Sequence, residues 1–108
     1  MIRDVVILDA AKADFREIKK HVKKQFGDFV WAEVNKEFKN TIHLISNNPK
    51  LGSVIEELGV LGYENYRKIL VRQTRVVYEF SQEQLIVHMF VNTKRDFRTH
   101  LEMRLLAS

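Results

Sequence analysis

The 108 residues are 45% hydrophobic and 30% charged, with four Gly and one Pro, a profile that suits one folded domain over 1–108 and excludes a disordered or linker-rich chain. Eighteen Lys and Arg against 14 Asp and Glu leave a net charge of +4, the balance of a small domain that meets nucleic acid or an acidic protein, although a merely solvated basic surface accounts for it equally well. The absence of Cys excludes disulfides, thiolate nucleophiles and zinc-finger ligation, and no apolar run approaches the ~20 residues of a membrane span. The start, Met1-Ile2-Arg3-Asp4, lacks the long apolar region of a signal peptide, so a cytoplasmic location with no membrane partner is expected.

In chain order, residues 2–8 carry Val5-Val6-Ile7-Leu8, β-branched and apolar, and predict a short, largely buried strand. Asp9 is placed to cap a helix by accepting from a free backbone N–H. Ala11, Phe15, Ile18, Val22 and Phe26 then recur every three or four residues as one apolar stripe, while Lys12, Arg16, Lys19, Lys20, Lys23 and Lys24 fill the other faces. Gly27 is the expected stop and Asp28 the expected cap of a second helix, whose stripe is Val30, Val34, Phe38, Ile42 and Ile45. That helix ends near Asn47, because Pro49 pushes Asn48 out of the helical region. Two helices with one apolar stripe each must lie on something.

The second half supplies it. Residues 66–72, 75–80 and 85–91 are rich in Val, Ile, Tyr and Phe, and the breaks between them, Gln73-Thr74 and Ser81-Gln82-Glu83-Gln84, are short enough for antiparallel hairpins. The run from Leu85 to Val91 is apolar on both faces, as an interior strand would be. Thr93 with Asp96 resembles a helix start, Asp standing for the usual Glu, and Phe97, Leu101 and Leu105 give a last short stripe. Residues 49–65, with Gly52, Gly59 and Gly62, predict no element; a loop that long is often functional or partly structured.

Most chemistry-bearing side chains have a plain structural reading. His88 sits within an apolar strand and is expected to be hydrogen-bonded in or near the core, and His21 and His43 lie off their helices' stripes and are expected in solvent. No pair of His or acids has metal-site spacing, so no metal and no small-molecule cofactor are expected. Ser46, Ser53, Ser81 and Ser108 lack a nucleophile-elbow context, and the glycines precede no clear helix that would cradle a phosphate. Trp31 suits packing, and the Lys-rich face of the first helix suits solvation better than nucleic acid.

The order strand, helix, helix, three strands is common to several folds, and the residues sharpen it. Asn48-Pro49-Lys50-Leu51-Gly52, then Tyr66-Arg67-Lys68-Ile69, then Arg75-Val76-Val77-Tyr78-Glu79, then Lys94-Arg95-Asp96 resembles the RelE/ParE toxin family over nearly the whole chain, ParE-like members above all. The resemblance implies an α+β fold of order β-α-α-β-β-β: a small antiparallel sheet packed by an N-terminal helical hairpin, with a short C-terminal helix. It also implies a type II toxin–antitoxin pair, of the kind that serves plasmid stabilisation, in which a cognate antitoxin wraps the toxin with an acidic or amphipathic segment.

Two mechanisms are known in that family. RelE-like members are ribosome-dependent mRNA endonucleases (mRNA interferases), and ParE-like members bind DNA gyrase and stall it. Metal-free RNA cleavage needs cations for the phosphate, a group to take the 2′-hydroxyl proton and an acid for the leaving oxygen. Arg75 and Arg95 fall where RelE-like toxins carry functional arginines, and Arg67 and Lys68 lie near the family's paired strand lysines; with Lys94 these are the expected phosphate- or target-binding residues. The proton-transfer half is poorer. The tyrosine that RelE carries six residues past the arginine matched by Arg95 is Leu101 here, and the adjacent His100 points about 100° away if the segment is helical. Arg75, Arg95 and His100 are thus the catalytic candidates of an endonuclease, the gyrase-binding reading leads, and an inactive relic that only binds antitoxin stays open.

Overall fold

The computed structural model describes residues 3–106, so Ile2, the expected start of the first strand, lies outside them. Strand β1 (Asp4–Ile7) is largely exposed rather than buried: Val5, Val6 and the following Leu8 are exposed, and Ile7 packs on the core. The reason is its place at the sheet's edge, where it pairs in parallel with β5 (Gln84–Asn92), Val5 beside Leu85 and Ile7 beside Val87. A parallel pair needs a long crossover, and the helical hairpin between the two strands supplies it.

Helix α1 (Asp9–Asn47) starts from an extended Leu8, which makes no side-chain cap bond. Asp9 is therefore not the cap; it stands in the first turn, where a negative charge suits the helix dipole. Gly27 (φ 89, ψ 176) leaves the helical region and divides α1 into arms 9–26 and 28–47. A positive φ of this kind favours glycine. Phe15 of the first arm and Phe38 of the second meet at a ring-centroid separation of 5.3 Å, and both pack on Phe90 of β5 at 5.3 and 5.6 Å, so the arms return alongside each other. Ala11, Trp31, Val34, Phe38 and Ile45 are buried there, with Phe15, Ile18, Val22, Val30 and Ile42 packed against them. Phe26, the last member of the first stripe, departs from expectation and is 65% exposed at the hairpin tip.

The sheet has five strands in the order β1-β5-β4-β3-β2, with β2 (Ser53–Val54), β3 (Tyr66–Val71) and β4 (Thr74–Phe80) added to the two above. Every pairing but β1–β5 is antiparallel, so the α+β class stands and the sheet is mixed rather than wholly antiparallel. Thr74 opens β4 rather than breaking the hairpin; the turn is Arg72-Gln73, with Arg72 at φ 55 and its Nε donating to Glu37 Oε2 at 2.6 Å. Residues 49–65 do hold structure: a 3-10 turn at Pro49–Leu51, then β2, then the single-turn α2 (Glu56–Gly59). The buried Tyr78 hydroxyl donates to Pro49 O at 2.6 Å and accepts from Gly52 N at 3.1 Å, which ties this segment to the sheet.

The face away from the hairpin has its own core of Ile55, Leu58, Val77, Met89, Val91 and Leu101, flanked by Tyr66, Phe97 and Leu105. Helix α3 (Phe97–Leu101) and the wider turns Glu102–Leu106 that continue it cover this face. Asp96, not Thr93, caps α3: its carboxylate accepts from Thr99 N at 3.2 Å and Thr99 Oγ1 at 2.9 Å, and these bonds hold it below the usual carboxylate range. Between the faces, β5 carries a bulge. Pairing passes from Val77–Met89 to Tyr78–Val87, which leaves His88 as the extra residue and reverses the side-chain alternation. Leu85 and Val87 therefore share the hairpin core with Phe90, while Met89 and Val91 face α3.

β1 pairs only with residues 84–87 of β5, so the strand's outer edge beyond them needs another cover. An ion pair supplies it. Asp14 from α1 accepts from Phe90 N at 3.1 Å, and Arg104 from the C-terminal turns donates to His88 O at 3.2 Å. The two side chains lock to each other bidentately at 2.6 and 3.0 Å. Among the described residues no helix is long and apolar enough to cross a membrane.

Candidate functional site

The α3 face gathers part of the cationic set. Neighbours on a strand point to opposite faces, so β3 sends Lys68 toward α3 and Arg67 toward the hairpin. Lys68 Nζ lies 5.1 Å and Arg75 Cζ 4.9 Å from the centroid of the Phe97 ring, so two cations stack on one aromatic at the start of α3. Arg75 Nη1 is buried and has no hydrogen-bond partner. An open hollow of about 400 Å³ lies beside it, lined by Leu51, Ser53, Lys68, Leu70 and Arg75 among others. Arg67 is apart from this group: its Nη1 donates to Gly52 O at 3.1 Å, and its buried Nε has no partner.

Lys94 and Arg95 lie in the loop before α3, both exposed, with Lys94 N bonded to Asn92 Oδ1 at 2.8 Å. Arg95 Nη1 is 3.4 Å from His100 Nε2, and His100 Nδ1 is 3.1 Å from Asp96 O. A carbonyl only accepts, so Nδ1 carries the proton and Nε2 offers its lone pair to the guanidinium. His100 is thus held against its own helix and Arg95. Leu101 beside it is fully buried in the α3-side core. No described contact joins the Arg95–His100 pair to Lys68 or Arg75.

A polar cluster lies further along the same face. His88 Nε2 is 2.7 Å from Glu79 Oε1, Tyr66 pairs with Glu79 in the strand register, and the Tyr66 and His88 rings are 5.4 Å apart. Burial, then the Glu79 carboxylate, pushes the Tyr66 phenol up. Sequence reading placed His88 correctly in a hydrogen-bonded position and missed its partners, because only the strand register and the bulge bring the three together. Glu79 is four residues from Arg75 along β4, roughly 13 Å at strand rise, whereas Tyr66 is two residues from Lys68 on the same face of β3. Among the described residues, no group of three His, Asp or Glu stands where it could hold a metal ion.

The family model for the ParE toxin of the type II toxin–antitoxin system parDE matches residues 5–97. The chain belongs to the ParE toxin family. This ParE-family toxin resembles a solved chain of the chromosomal ParDE toxin–antitoxin system from P. aeruginosa at a TM-score of 0.66 and 11% identity, over 84% of this chain and 96% of that one. It also resembles a chain of the E. coli DinJ-YafQ toxin–antitoxin complex at a TM-score of 0.61 and 15% identity, over 90% of this chain and 99% of that one. At these identities the likeness is one of fold. No curated protein matches the sequence. The family match ends at Phe97, the first residue of α3, so Arg98, His100 and Leu101 lie beyond it.

Proposed function

We propose that this ParE-family toxin inhibits growth by binding DNA gyrase, is neutralised by a cognate antitoxin, and performs no RNA chemistry of its own. The observation that carries the reading is the state of α3. The position that would hold a proton-transferring tyrosine is the fully buried Leu101, and His100 is committed to Asp96 O and Arg95. Lys68 and Arg75 stack on Phe97 with no described hydrogen bond to a base or acid, and such cations bind phosphate but activate a 2′-hydroxyl poorly, since general acid–base catalysis typically supplies about 10²–10⁴-fold in rate. A second reading, ribosome-dependent mRNA cleavage, draws support from Lys68 and Arg75 on Phe97 and from the buried Arg75 Nη1, a donor with no acceptor among the described residues.

One pair of assays separates the readings: supercoiling by purified gyrase, and cleavage of mRNA on programmed ribosomes, each with wild type and His100→Ala. Inhibited supercoiling without cleavage is the expected result. Efficient cleavage that collapses in His100→Ala overturns the proposal in favour of the endonuclease. Absence of both activities leaves an inactive antitoxin-binding relic.

A further inference from the structure

The helical hairpin is longer than the sheet it covers. The level of the aromatic layer Phe15–Phe38–Phe90 is close to the sheet's end, because the β3–β4 turn is held to Glu37 through Arg72. From that layer each arm continues for 11 or 12 residues to Gly27, roughly 16–18 Å of helix at 1.5 Å per residue. In the protruding part Val22, Val30, Trp31 and Val34 continue the hairpin core, and it ends in Phe26 and Phe29 on either side of the Gly27 turn, 65% and 79% exposed. Around them Lys20, Lys23 and Lys24 are exposed, and the tip's only described ion pair is Lys23–Asp28 at 3.6 Å. Neither phenylalanine contributes to the packing that holds the arms together.

We propose that this tip is the surface by which the toxin docks on its target protein, the two phenylalanines entering an apolar pocket with an acidic rim. The inference rests on the reading of a toxin that acts by binding. Charge complementarity argues for the acidic rim, since Lys20 and Lys24 are exposed on the arm that ends in Phe26 with no described ion pair, while Lys23 is 3.6 Å from Asp28. A pair of aromatic anchors in a desolvated pocket, ringed by charges that steer the encounter, is how protein interfaces concentrate their binding energy. The same pair is too little for a membrane surface, where even a whole myristoyl chain gives only marginal binding.

The test uses the full chain, a double variant Phe26→Gln with Phe29→Gln, and a charge reversal Lys23→Glu with Lys24→Glu. Both pairs are solvent-exposed, so the melting curves should overlay wild type within a few degrees. The readouts are growth arrest on induction and inhibition of supercoiling by reconstituted gyrase. The aromatic variant is expected to lose growth arrest and to need at least about tenfold more protein for inhibition. The charge reversal is expected to weaken inhibition and flatten its salt dependence. A folded aromatic variant as potent as wild type overturns the tip. If wild type arrests growth without inhibiting gyrase, the gyrase reading fails and the tip is judged by growth arrest alone. Wild-type binding to phosphatidylglycerol vesicles or to a single-stranded 20-mer that depends on both phenylalanines overturns the protein target. A wild type inert in both assays overturns both proposals.

Discussion

Removing Arg104 tests how the two faces of the sheet are held together. Its guanidinium makes three bonds: two to the Asp14 carboxylate at 2.6 and 3.0 Å, and one to His88 O at 3.2 Å. Arg104→Ala leaves Asp14 with only Phe90 N and leaves the bulge carbonyl at the strand's edge without its donor. Breaking a fully buried pair costs about 3–5 kcal/mol. Here the side chains retain 30% and 19% of their exposure, so water takes over part of the lost bonding. The expected cost is about 2–3 kcal/mol, which for a domain of this size lowers the melting temperature by roughly 8–15 °C. Arg104→Lys keeps the charge but not the planar fork, and is expected to lose about half as much. A thermal double-mutant cycle with Asp14→Ala isolates the pair, with an expected coupling of about 1–2 kcal/mol. A fall of less than about 2 °C, or strictly additive single variants, would show that the edge of β5 does not depend on this clasp.

Other changes bear on separate parts of the structure. Phe38→Ala removes a side chain 2% exposed at the centre of the aromatic layer and should cost about 3–5 kcal/mol; a melting temperature unchanged within about a degree would show that the stripe does not face the core. Gly52→Ala brings a Cβ against the Tyr78 hydroxyl and within 2.8 Å of Lys68 O, and should cost about 1–3 kcal/mol in a chemical-denaturation curve, whereas a neutral result would mean that the 49–52 turn yields freely. Burial pushes the phenols of Tyr78 and Tyr66 above their ordinary value near 10, so the stability gained by keeping them protonated is complete below pH 10 and is lost as pH rises through their folded values. Tyr78→Phe should shallow that alkaline loss, and an unaltered alkaline limb would refute the assignment. Association with a partner bearing an acidic segment should slow as salt rises, because steering between opposite charges is screened; stopped-flow rates independent of salt would exclude an electrostatic encounter.

The parts of the fold that were legible in the sequence are those with a strong local period. The stripe from Val30 to Ile45 lies where it should, because that arm buries one well-populated face, and the β-rich run of residues 75–80 does form a strand, with Val76 and Tyr78 in the hairpin core and Val77 in the α3-side core. Failures share a different cause. β1 looked buried because its side chains are apolar, but edge position is a property of the whole sheet. The run from Leu85 to Val91 concealed the bulge at His88, since a strand apolar on both faces carries no alternation to be seen reversing. Residues 49–65 draw their order from distant partners, the Tyr78 hydroxyl and the α3-side core, rather than from local propensity. Among the candidate residues, the strand period is enough to separate Arg67 from Lys68, and no local rule foretells that Lys68 and Arg75 would share the Phe97 ring.

The C-terminal helix has two tasks that pull in different directions. It must seal the α3-side core, and Leu101 does so with no exposed surface. It is also the element from which a RelE-like toxin would present its proton-transferring group. A tyrosine at Leu101 would have to find room and a partner for its hydroxyl in a core of Ile55, Leu58, Val77, Met89 and Val91, or else lift the helix away from the sheet. His100, one residue back, escapes that conflict only by turning about 100° to the flank, where Asp96 O and Arg95 hold it. The helix is therefore anchored twice over, by Leu101 within and by the Asp96 cap at its start, and Arg104 in the turns beyond it clasps Asp14 across the sheet edge. Such anchoring favours a rigid platform for Lys68, Arg75 and Phe97 over a mobile catalytic arm. The hairpin is clasped at Asp14, whereas Phe26 and Phe29 at its tip stand outside these constraints, exposed as the proposed docking surface requires.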